Sequence, residues 1–164
     1  YMKDKDEKID HVKEAGELFL SGYNCAQSVF CAFRDVTGLD LETSLKLSSS
    51  FGGGMGRMRE VCGSMNAAFM IVGLLYGYTS NTDIDAKGRH YALVQKIAAK
   101  FKEKHNTIIC RELLAGLKAD DSPIPSVRDA EYYKKRPCLR FIEDAAGIID
   151  DIIKEKSGEK ESGT

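Results

Sequence analysis

The sequence predicts an all-α fold, and three observations carry that prediction. Apolar residues recur at three- and four-residue spacing along nearly the whole chain. No stretch alternates with period two, and capping residues, glycines or a proline stand at the ends of the periodic runs. The expected architecture is one domain over residues 1–164, a bundle of about six or seven helices with a glycine-rich loop ahead of a central buried helix. Residues 1–3 and 157–164 are expected to be disordered, the latter because the tail is polar throughout.

The elements follow in order. "DEKIDHVKEAGELFLSGYN" places Ile9, Val12, Ala15, Gly16 and Phe19 on one face, and Gly22 stops that helix. Asn24 caps a second helix, "CAQSVFCAFRDVTG", with Val29, Phe33 and Val36 inward and Gly38 at its end. A third helix, over 41–51, carries Leu41, Leu45 and Leu47 before the glycines break it. The fourth, over 61–78, is apolar on most sides and reads as the central buried helix. A fifth, over 84–104, sets Tyr91, Val94, Ile97, Ala98 and Phe101 at helical spacing. After it come a short helix, "CRELLAGL", a proline-containing loop, "DDSPIPS", and a charged segment, "VRDAEYYKKR", expected to be a solvated face. Pro137 opens the last helix, where its missing N–H costs nothing, and Leu139, Ile142, Ala146, Ile149 and Ile153 form its inner stripe.

Composition narrows the function. The 164 residues carry a net charge of −1, with 43% hydrophobic and 30% charged residues, which gives no field for nucleic acid. The longest apolar segment, Ala67 to Leu75, is far short of the roughly 20 residues that span a bilayer, so no membrane partner is expected. The charged stretch "YMKDKDEKID" does not read as a secretory leader, and none is expected. With five cysteines and no such leader, a reducing, cytoplasmic location is expected, and the odd count argues against a fully paired disulfide framework.

Four of the five cysteines fall at predicted helix starts: Cys25 after Asn24, Cys62 after the glycine loop, Cys110 at the short helix, and Cys138 after Pro137. Unpaired N–H groups and the helix dipole there favour a thiolate, so depressed thiol pKa values are expected. Cys31 lies inside the second helix, about 240° around the axis from Cys25 by the ~100° advance per residue, and reads as a small core residue with no assigned role. Buried apolar filler is the competing reading for each cysteine taken singly. No CxxC pair occurs, so a shared site has to be assembled by the fold from distant segments.

"FGGGMGR" lacks the GK[ST] ending of a phosphate loop and no strand precedes it. Its glycines, Gly52, Gly53, Gly54 and Gly56, together with Gly63, are better suited to letting bare backbone crowd against a thiol site. Arg57 and Arg59 either bias Cys62 and an anionic partner or are exposed turn residues. His11, His90 and His105 sit on charged helix faces and are expected to be solvated, and no Ser/His/Asp constellation is evident.

The glycine-rich loop, the following "CGSMNAAFMIVGLLYG", the early "GYNCAQSV" and the two later lone cysteines resemble the C_GCAxxG_C_C family of redox-active proteins, over about residues 22–146. The resemblance implies an all-α redox or metal-cluster protein whose family cysteines fall on Cys25, Cys62, Cys110 and Cys138. Four cysteines match the ligand count of an iron–sulfur cluster, so electron transfer with an unidentified redox partner is the leading expectation. A metal-free thiol–disulfide protein and a non-catalytic helical module with structural zinc are the alternatives. A homo-oligomer is compatible with either.

Overall fold

Five of the helices begin where a side chain satisfies one of the first free N–H groups. Asp10, Asn24, Asp40, Asp83 and Asp129 all accept such bonds, and Asn24 forms a reciprocal box with Gln27. The structure, a computed structural model, describes residues 8–163. The helices are α1 (His11–Leu20), α2 (Cys25–Ala32), α3 (Arg34–Thr37), α4 (Leu41–Ser49), α5 (Gly63–Tyr76), α6 (Ile84–His105), α7 (Cys110–Leu113), α8 (Ala130–Lys135) and α9 (Cys138–Ser162). Nine helices thus stand among the described residues, six of them at least seven residues long, and the fold is all-α. The excess over six or seven comes from the one-turn elements. Among the described residues the only strand-like feature is an antiparallel bridge between Val61 and Ile109. No helix of the described residues is long and apolar enough to cross a membrane.

The core lies between α1, α2, α5 and α9, with α6 packed on α5 and α9. Phe19, Phe30, Phe33, Met65, Ile71, Phe101, Ile142 and Ile149 are all but fully buried there. Small residues let the helices approach: Ala15 on α1, Ala67 and Ala68 on α5, Ala145 and Ala146 on α9.

Several expectations are corrected. On α4 the buried positions are Ser44 and Ser48, while Leu41 and Leu47 are 42% and 50% exposed. The hydroxyl of Ser48 can turn back to the carbonyl of Ser44 at 2.6 Å, which lets a polar side chain occupy the inner face. On α6 the inner stripe is Leu93, Ile97 and Phe101, and Tyr91 faces outward toward Tyr78. The polar tail continues α9 to Ser162 instead of fraying from Ser157, with Lys156 and Glu159 pairing one turn apart. Residues 1–3 and 164 lie outside the described residues.

The histidines are not solvated side chains on polar faces. His11 is wedged between Asp35 and Asp150, with Nδ1 at 2.6 Å from one carboxylate and Nε2 at 2.9 Å from the other, and its ring stacks on Phe33. Burial alone would lower its pKa, but the two carboxylates outweigh that and raise it. The charged ring thereby ties α1 to α9 and to α3. His105 is buried against Phe101 and Phe141 and bonds Asp144 at 2.7 Å. His90 has a buried Nδ1 with no partner among the described residues.

Candidate functional site

Cys25, Cys110 and Cys138 are the first residues of α2, α7 and α9, and Cys62 is the cap residue of α5. All four line one cavity of about 290 Å³. Cys31 is apart from it, buried in the core on the far side of α2.

Local structure explains how such distant residues meet. Residues 59–62 and 108–111 run antiparallel: the Cys62 N–H donates to Ile108, the Cys110 N–H to Glu60 and the Arg111 N–H to Arg59, at 2.8, 2.6 and 3.1 Å. This short pairing holds Cys62 and Cys110 close together. The packing of α2 on α5 and of α9 on both brings in Cys25 and Cys138.

The stretch from Gly52 to Arg59 is a coiled-up turn. Gly53, Gly54, Met55, Gly56, Arg57 and Arg59 all have positive φ between 59° and 73°. For the three non-glycine residues such a backbone costs about 1–2 kcal/mol each, strain that the surrounding packing must over-determine. The result is a backbone wall with no side chains where the thiols need room. A Cβ on Gly54 would lie 2.6 Å from Cys110 Cβ and 2.8 Å from the Glu60 nitrogen, and one on Gly63 would overlap Cys25 Sγ and stand 2.7 Å from the Phe51 carbonyl. Gly52, Gly53, Gly56 and Gly63 line the cavity directly. The N–H groups of Gly53 and Ala26 bond the Cys25 sulfur, and that of Ser64 bonds Cys62.

The thiols depart from the expected electrostatics. Burial pushes Cys25 up, its N–H bonds only partly opposing this. Cys62 is strongly raised by burial and by Cys25, Cys138 and Cys110. Cys138 is pushed up to about 12 by burial first and by Cys25, with Arg136 and Arg128 pulling the other way. The helix-start effect is real but smaller than desolvation plus the repulsion of other incipient thiolates. At neutral pH these three thiols hold their protons. None of the five cysteines is disulfide-bonded.

Arg57, Arg59, Arg128 and Arg136 share the wall, and no aspartate or glutamate does. Arg59 is 4% exposed. Its Nε bonds the Asp120 carbonyl at 2.9 Å, its Nη1 lies 3.8 Å from Cys110 Sγ, and its Nη2 has no partner among the described residues. Arg57 straps the proline loop down through the Ser122 carbonyl and the Ser126 hydroxyl. Arg128 and Arg136 lie over Tyr132 at 4.7 and 4.9 Å, and Arg128 also covers Phe19. The segment 128–136, expected to be a solvated face, therefore supplies part of the cavity wall. Arg128 and Arg136 flank the short helix α8 from outside its turns and both reach the ring of Tyr132, a placement that no helical spacing signals.

A family model described as "Putative redox-active protein (C_GCAxxG_C_C)" matches residues 23–152, a span that includes all four cavity cysteines. The chain belongs to the C_GCAxxG_C_C family. No curated protein and no solved structure matches it significantly. The family description and the resemblance noted from the sequence agree, and the match covers the glycine turn and both ends of the cavity wall.

Proposed function

We propose that this C_GCAxxG_C_C protein is an electron-transfer protein whose Cys25, Cys62, Cys110 and Cys138 ligate an iron–sulfur cluster. The observation that carries the reading is the convergence of four thiols, from four separate helix starts, on one cavity. Bound, the cluster would supply reversible one-electron chemistry.

The wall suits such a group. Four soft thiol donors are present, and the absence of a side chain at Gly54 and Gly63 lets the backbone approach Cys110 and Cys25 closely. Nη1 of Arg59 lies 3.8 Å from Cys110 Sγ, a cationic donor beside one of the four sulfurs. The raised pKa values of Cys25, Cys62 and Cys138 fit a site completed by metal, since ligation would release their protons.

The thiols converge without closing on a point. Among the described residues no group of three or more His, Cys, Asp or Glu is arranged to hold a metal ion as it stands. A single zinc needs four sulfurs about 2.3 Å from one centre, whereas a cluster distributes them over separate irons.

Anaerobic purification followed by absorption spectroscopy and iron, sulfide and zinc analysis tests the reading. A broad visible band with iron and sulfide, lost on Cys→Ser change at any of the four positions but kept in Cys31→Ser, is expected. Zinc alone in a colourless sample would make the protein a structural module. Neither metal, with thiols that pair reversibly on mild oxidation, would make it a disulfide redox protein.

A further inference from the structure

Metal ligation explains the thiols better than it explains the arginines. Four guanidinium groups line the cavity and no aspartate or glutamate shares that wall, although Asp120, just outside it, pairs with Arg57 at 3.7 Å. Arg136 makes no side-chain hydrogen bond or ion pair among the described residues, only its stacking on Tyr132. Two guanidinium nitrogens are buried with nothing to donate to: Nη2 of Arg59, on a side chain 4% exposed, and Nη1 of Arg128. A buried donor of this kind calls for an acceptor, and charged donors that share a wall call for an anion.

The rest of the lining indicates what kind of anion. Leu113, Leu114, Pro123, Pro125 and Phe141 face the same space, so the ligand meets apolar surface as well as charge. An inorganic oxyanion would leave that surface unused. We propose that the cavity binds a small organic carboxylate, its carboxylate on Arg59 and Arg128 with Arg136 adjacent, and its apolar body against Leu113, Pro123 and Phe141. A guanidinium fork matches the planar carboxylate, and apolar walls with a few fixed polar groups are the usual composition of a small-molecule site. The ligand lies beside the four cysteines, which makes it the substrate class of the same site. That assignment of a fate rests on the redox reading, but binding itself requires no metal.

Iodoacetate and iodoacetamide provide the test, because they alkylate thiols alike and differ in the carboxylate. Full-length, reduced, metal-free protein is treated with each reagent at several concentrations, and alkylation at every cysteine is followed by mass spectrometry. Rates are normalised to those of free glutathione. At Cys25 and Cys138 the iodoacetate rate is expected to saturate with concentration and to exceed the iodoacetamide rate about tenfold at low concentration, the lower end of electrostatic focusing in a charged cleft. Acetate should compete. Arg136→Gln, which leaves the stacking of Arg128 on Phe19 in place, should abolish saturation. Arg128→Gln should do the same, with circular dichroism checking that it folds.

Linear dependence on both reagents, with the same ratio in wild type and Arg136→Gln, would overturn the proposal. Competition by inorganic phosphate as strong as by acetate would overturn the organic acid in favour of an oxyanion. Iron and sulfide content is read separately, so failure of the cluster and failure of the carboxylate site are distinguishable outcomes.

Discussion

The cavity and the helical core meet along α5, and they hold their shape by opposite means. The core is regular: helices with satisfied caps, apolar side chains almost fully buried, and alanines where helices cross. At the N-terminal end of α5 the chain is irregular instead. Six of the seven residues from Gly53 to Arg59 have positive φ, Cys62 caps α5 with no side-chain bond, and buried guanidinium nitrogens lack acceptors. Burial of apolar area stabilises the first region, whereas the second is held in a strained arrangement by the first. The difference teaches that the cysteines are positioned by regular helices, while the irregular turn shapes the space among them.

The largest expected effect comes from the core alone. Phe101→Ala empties a fully buried site beside Phe141 and His105 and should cost about 3–5 kcal/mol in urea unfolding, a large share of a typical domain's 5–15. The folded fraction should still carry metal at the four cysteines. Loss of metal binding from protein that remains folded would show that the two regions are not separable in this sense.

The converse change is Gly54→Ala. The new Cβ has to adopt a φ of +73° and meets Cys110 Cβ at 2.6 Å and the Glu60 nitrogen at 2.8 Å, neither of which is the free end of a flexible side chain. A loss of about 2–3 kcal/mol is expected, from left-handed strain plus overpacking. Metal content should fall even under conditions where helicity is unchanged. A variant that binds iron as well as wild type would refute the idea that bare backbone is required there.

The contrast also explains what the sequence revealed. The helices were legible because burial follows a 3.6-residue period, and the four cysteines because capping residues, the glycine run and Pro137 mark helix starts. Their convergence is expected from their shared place at helix starts and from the family resemblance, but spacing does not give its route, which depends on the pairing of residues 59–62 with 108–111 and on helix crossings between segments distant in sequence. The thiol electrostatics went the other way from the sequence expectation, because desolvation is a property of the assembled cavity and no spacing encodes it. Arg59 shows the same limit: it is nearly the most polar side chain of a glycine turn and yet one of the most buried. Serines on the inner face of α4 mislead any reading that ranks burial by hydrophobicity alone.

A smaller effect, confined to the core, is pH-dependent. His11 is held between Asp35 and Asp150 with its pKa raised above the ordinary 6.5. Because the folded state holds the proton more tightly, the stabilisation is fully present below pH 6.5 and is lost as pH rises through the raised folded value. His11→Gln should therefore cost about 1 kcal/mol at pH 5.5, as expected for hydrogen bonds to charged groups at a partly open site, and clearly less at pH 9. Urea titrations at the two pH values measure it. An equal cost at both would mean that His11 acts through its stacking on Phe33 and not through its charge.

The smallest expected effect sharpens the comparison most, because it separates two thiols of one helix. Cys31 and Cys25 are both on α2, but only Cys25 reaches the cavity, and Cys31 is 1% exposed among core side chains. Cys31→Ala removes one buried sulfur, comparable to a methylene, and should cost under about 1 kcal/mol. It should leave metal content, thiol titration of the other four cysteines and iodoacetate selectivity unchanged. Cys25→Ala is expected to do the reverse, with metal lost and little change in core stability, since Asn24 and Gln27 still cap α2 without the thiol. If the Cys31 variant lost metal as Cys25→Ala does, the boundary between core and cavity would have to be moved one and a half turns into α2.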